Sequence, residues 1–330
     1  MAATEVPADR ARVVVIEDGT ATATFVPQPQ PVRRMVDTGI RRFSGEASVN
    51  LGWRLMIKPT DTVGIKVYSS PGEIIGTRPV VVSAVVESLI AAGIPAARII
   101  VWDKFQHDLR LAGFYDLQKR HGIQVRSSAA AKWDPAATYE NSLIGKPIWG
   151  DHEFGRTGKD IGRNSYFSKL ITKEITKHII ISPLLNHNVA GVSGNLMSMA
   201  IGSVDNTVRF EARYPPMAQA VPEIFGNEFI FDRLAVVIVD ALICQYQGEA
   251  NNLLHYSRVL NQLRFSKDPV ALDILSLHEL EAQRKKAGLP FRTFPRNLYN
   301  NAALLELGIA NPRRILVDHH KIPPFAPLVP

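Results

Sequence analysis

One cysteine, Cys244, is present in 330 residues. No intrachain disulfide can form, and neither a cysteine-ligated zinc nor an iron–sulfur cluster can be built from this chain alone. Its setting in Ala241-Leu242-Ile243-Cys244 predicts a small buried hydrophobe. Long apolar runs are missing as well, and nothing approaches the ~20 residues a membrane span requires. Met1-Ala2-Ala3-Thr4 has no charged segment leading into an apolar one, so no signal peptide is visible. The expected location is the cytoplasm, or outside it if a signal has already been removed. Basic residues are in excess, with a net charge of +7, but they are scattered. No basic motif interleaved with aromatics appears, which argues against nucleic acid and leaves an anionic small molecule as the expected partner.

What is present reads as alternating strands and helices. Arg12–Glu17, Asp61–Tyr68, Arg98–Asp103, His178–Ser182 and Leu234–Asp240 are short β-branched runs, each predicting a buried strand. Helical spacing marks Val32–Phe43, a helix from about Thr77 to Gly93 with Thr77 as its cap and Pro79 in its first turn, Tyr166–Thr176, Gly194–Ile201, and Ser266–Gly288 capped by Asp268. Strand, helix, strand is a βαβ unit with a parallel crossover. The expected class is α/β, with mostly parallel sheets and helices on both faces, in two domains, residues 1–150 and 151–330. The polar stretch Ser127–Asn164 is predicted to be an insertion or an interdomain excursion, and the proline-rich Ile322–Pro330 an extended arm.

Ligands of open α/β sheets sit where strands end at their carboxyl termini. Four polar clusters fall there: Lys66 with Thr77-Arg78, Asp103-Lys104 with His107, Asn186-His187-Asn188, and Asp240. Backbone amides at a helix start beside the Arg78 guanidinium suit a carboxylate or phosphate. Pro183–Asn195 is the densest cluster, carrying a histidine, asparagines, glycines and a serine straight after an apolar strand. Asp318-His319-His320 predicts a solvated loop, because adjacent side chains diverge.

These pieces resemble the domain of unknown function 362 family: Ile65-Lys66-Val67, Thr77-Arg78-Pro79, Arg98–Asp103, His187 with Ala190–Gly194, Gly202–Asn206, Val239-Asp240-Ala241 and Asp268–Asp273. More distantly the chain is similar to nickel-pincer lactate racemases, which are two-domain α/β proteins. That resemblance implies catalytic histidines at His107 and His187. It also implies a cofactor-bearing lysine where this sequence has Met197, and a thioether cannot form the thioamide link, so no covalent pincer is expected. Arg78 and Lys66 are then expected to neutralise an anion, with or without a metal, in an interdomain cleft. His107 and His187 would transfer protons, Asn186, Ser193 and Asn195 would orient the ligand, and Asp103 and Asp240 would support them. The alternative is a non-catalytic binding protein on a degenerate scaffold of this kind.

Overall fold

The computed structural model describes residues 9–141, 149–211, 214–290 and 296–323. The predicted extended arm falls mostly outside these, as does the middle of the predicted insertion. Strands follow in chain order as β1 (Ala11–Glu17), β2 (Thr22–Ala23), β3 (Val26–Pro27), β4 (Val63–Val67), β5 (Ile99–Asp103), β6 (Gln124–Ser127), β7 (Trp133–Glu140), β8 (Asn164–Ser168), β9 (Lys177–His187), β10 (Gly191–Val192), β11 (Leu234–Gln245), β12 (Ser257–Ser266) and β13 (Ile315–Lys321). The helices intervene. They are α1 (Pro29–Ser44), α2 (Val49–Met56), α3 (Gly72–Ile75), α4 (Pro79–Ala91), α5 (Gln106–Leu111), α6 (Phe114–His121), α7 (Trp149–Glu153), α8 (Asn195–Ser203), α9 (Pro216–Phe225), α10 (Pro269–Lys286) and α11 (Asn297–Leu304).

One large sheet organises the chain, in the order β13-β1-β12-β11-β9-β4-β5-β6, with β10 folded back on β9. Every neighbouring pair on that path is parallel except the two made by β12, which runs against β1 and β11. The apolar runs follow from burial on both faces. Val13 and Val15 of β1, Ile180 of β9 and Val237 of β11 join the core under α8, α9, α10 and α11. Their neighbours Val14, Ile16, Ile179, Ile181 and Ile238 join the core under α1, α2, α4, α5 and α6. The class is therefore α/β, a mostly parallel sheet flanked by helices.

Strands from both sides of residue 150 interleave in this sheet, so the expected boundary falls in the connection between β7 and β8 and not between two sheets. Three local expectations are corrected. Tyr166–Thr176 is not one helix: β8 ends at Ser168 and a single wide turn follows over Leu170–Glu174. Asp318-His319-His320 lies in β13, an edge strand paired with β1, where His319 sits 2.9 Å from Glu17. Thr77 does not cap α4. Arg78 holds the cap position with Pro79 behind it, while the Thr77 hydroxyl accepts from the Tyr68 amide and donates to the Ile181 carbonyl, tying β4 to β9.

Candidate functional site

The carboxyl ends of β4, β5 and β9 open on a cavity of about 470 Å³. Its wall includes Tyr68 and Ser70 after β4, Asp103 to Phe105 at the end of β5, His187 to Val189 at the end of β9, and Met197, Ser198 and Gly202 on α8. Asp108, Ile201, Glu211 and Glu249 complete it. A larger cavity of about 630 Å³ lies at the opposite pole, between Arg10, Leu234, Lys267 and Gly308. There Asp268 is spent on capping α10 and on the Ile309 amide, and Arg12 pairs with Asp318. The carboxyl-end cavity has the position favoured for ligands and gathers groups with shifted proton affinity.

His187 has a defined role in the turn that leaves β9. Its Nδ1 accepts from the backbone amides of Val189 and Ala190, at 3.2 and 3.0 Å. A ring nitrogen that accepts carries no proton, so in the neutral ring the proton sits on Nε2. Burial lowers the His187 pKa, against the pull of Glu249 and Glu211, and keeps the ring neutral. In the neutral ring Nε2 is therefore an N–H donor on a residue of the cavity wall. In that state it has no lone pair with which to abstract a proton.

The two cations expected to hold an anion are committed inside the protein. Lys66 is fully buried, with Nζ 2.9 Å from Asp103 and donating to the Val67 carbonyl and the Ser198 hydroxyl. Its stem packs so closely on α8 that a Cβ at Gly202 would stand 2.3 Å from Lys66 Cε. Asp103 also accepts from Ser69 and the Lys104 amide. Arg78 is buried with its guanidinium 2.9 Å from Asp240 and a second bond to the Ile243 carbonyl.

The remaining predicted residues are scattered in role. His107 is exposed on α5 and is not part of the cavity wall. Asn186 is buried and accepts from the Glu249 amide, anchoring the loop after β11 to β9. Ser193 and the Tyr68 hydroxyl are hydrogen-bonded to each other. Asn195 lies in a network in which it accepts from Ser182 and, by side chain and backbone, donates to Asp273. Asp273 also accepts from the Leu196 amide, so a buried carboxylate caps the N-terminus of α8. Burial pushes its pKa up to about 7 against those hydrogen bonds. Gly194 has φ +23°, and a Cβ there would meet Asp273 at 2.6 Å, so the turn needs glycine.

Sequence reading left Asp273, Tyr68, Glu211, Glu249 and the role of Lys104 unassigned. Lys104 and Asp273 had a signal, since each lies in a quoted motif. Glu211 and Glu249 reach the cavity from loops without one. Among the described residues no set of three histidine, cysteine, aspartate or glutamate side chains is placed to hold a metal, and no helix is long and apolar enough to cross a membrane.

No known family matches the chain, and no curated protein does so. Among solved structures it is similar to a Thermotoga maritima protein from a structural-genomics programme, at 10% identity and a TM-score of 0.42. That match takes in 82% of this chain and 61% of the other, so this chain spans about three-fifths of that protein's length.

Proposed function

We propose that the cavity at the ends of β4, β5 and β9 binds a small molecule through an oxygen atom, with the neutral His187 ring donating Nε2–H to that oxygen. The observation that carries this is the pair of amides on Nδ1, which fixes His187 as a donor. A neutral imidazole aimed at a carbonyl oxygen stabilises the charge that develops there, and such a donor contributes about 10²- to 10³-fold in rate. Lys66 and Arg78 are engaged, and the wall carries Asp108, Glu211 and Glu249. A neutral substrate, or one with an amino group, fits this wall better than the anion expected from sequence. Kinship with the domain of unknown function 362 family belongs to the same proposal and is supported by the motifs quoted above.

His187→Asn tests the reading, because an asparagine oxygen can take the place of Nδ1 while nothing replaces Nε2. The fold should keep its stability to within about 1 kcal/mol. Small aldehydes, ketones and 2-oxo acids would be screened for stabilisation of the wild type and for exchange of their α-hydrogens in D₂O, followed by NMR. A ligand at ~100 times its Kd stabilises by about 2.7 kcal/mol. Exchange should fall about 10²- to 10³-fold in His187→Asn. Stabilisation without exchange would favour the second reading, a non-catalytic binding protein, which the internal neutralisation of Lys66 and Arg78 supports.

A further inference from the structure

We propose that Lys104 is an amine nucleophile that condenses with the carbonyl group of a small aldehyde or ketone in this cavity, an inference that rests on the carbonyl reading of His187. Lys104 is 7% exposed and nevertheless lies in the cavity wall. Its Nζ donates to the Asp205 carbonyl at 2.9 Å and to the Thr207 hydroxyl at 2.7 Å. Thr207 gives its own proton to Glu211, at 2.6 Å, so toward Lys104 its oxygen can only accept. Two acceptors match the two N–H bonds of a neutral amine. In the unprotonated amine the remaining tetrahedral position holds the lone pair.

Burial favours that state, against the field of the nearby acids. Among the described residues no carboxylate forms an ion pair with Lys104. Asp103 is held by Lys66, Asp205 by Arg156, and Glu211 by Thr207. Glu153 acts only through its field, and the Phe105 ring lies 5.6 Å away. Burial outweighs these acids and pushes the Lys104 pKa down to about 8. A buried lysine without a counter-ion is the usual form of an imine-forming amine.

The chemistry balances without a further reactant. The Nζ lone pair adds to the carbonyl carbon, the π pair moves to oxygen, and that oxygen takes a proton while nitrogen loses one. The carbinolamine then loses its hydroxyl with a second proton from nitrogen as water, leaving an imine. His187 Nε2–H is the donor available to the carbonyl oxygen during addition.

The test is reductive trapping. The full chain would be incubated with glycolaldehyde, and separately with glyoxylate, in the presence of cyanoborohydride, then mapped by peptide mass spectrometry. At neutral pH a lysine of this kind has roughly a hundredfold more free amine than an ordinary lysine. Lys104 should therefore be labelled first, glycolaldehyde should outpace glyoxylate because of the acidic wall, and the labelling rate should rise with a midpoint near pH 8. Lys104→Met should lose that adduct. If this variant does not fold, the pH profile of Lys104 labelling in the wild type decides. Equal labelling of surface lysines, or an unmodified Lys104, overturns the proposal. If carbonyl compounds still stabilise the wild type in a His187-dependent way, the imine alone is wrong. If they do not, the cavity reading fails with it.

Discussion

Arg78→Ala would leave Asp240 fully buried with no cation beside it. Removing one partner of a buried pair costs about 3–5 kcal/mol, because the other charge stays uncompensated. Urea denaturation should show that loss, and the double variant Arg78→Met, Asp240→Leu should be less destabilised than Arg78→Ala. An unchanged midpoint for Arg78→Ala would mean that Arg78 is not held as described. At this scale the sequence reveals residue types but not their partners. Lys66 and Asp103 stand at strand ends as expected, whereas Arg78 holds the cap of α4 and Asp240 lies inside β11, which runs five residues further than the sequence suggests; the pairs are set by contacts spanning 37 and 162 residues (66 to 103, 78 to 240). A lysine or arginine at a strand end looks the same whether it faces a ligand or a buried acid. Sequence spacing could identify His187 as unusual, but the direction of its proton needed the two amides.

Two buried groups on neighbouring elements make opposing contributions to pH dependence. His178 on β9 is completely buried, donates from Nε2 to the Phe229 carbonyl, and has its pKa lowered by burial to about 4. The unfolded chain binds that proton more readily, so stability from His178 is complete above about pH 6.5 and is lost as pH falls toward 4. Asp273 on α10 has its pKa raised to about 7, so its burial costs most above that pH and the cost is relieved as pH falls toward 4. At about 1.4 kcal/mol per tenfold change in proton affinity, each is on the order of 3–5 kcal/mol and they largely offset. His178→Gln should gain stability on acidification from pH 7 to 5, and Asp273→Asn should lose it, as read by thermal melts. Parallel curves for both variants and the wild type would contradict the assignment. Elements were legible where local chemistry decides them. Asp268 caps α10 by accepting from the Ala271 amide, and Pro79 opens α4, both as read. Tyr166–Thr176 was misread because its apolar spacing fits a helix, whereas pairing with β7 imposes a strand on its first residues.

Among the described residues the molecule is organised by one large sheet with two covered faces, and neither half contains enough of it. Residues 1–150 hold β1, β4, β5 and β6 but lack β9, β11 and β12, which lie between β4 and β1 in the sheet. That fragment should show no cooperative thermal transition by itself, and a cooperative melt would restore a two-domain division. The strand direction was readable from βαβ patterning, and β4, β5 and β9 do run parallel with their ends at one pole, while β10 folds back antiparallel on β9. The continuity of the sheet was not readable, since long-range pairing leaves no local signal. The central claim concerns that pole, and a crystal soaked with small aldehydes and ketones tests it most directly. A bound carbonyl oxygen should lie within about 2.6–3.2 Å of His187 Nε2, in the cavity beside Lys104. Binding instead at the opposite pole between Arg10, Lys267 and Gly308, or a ligand in the cavity with its oxygen turned away from His187, would contradict it.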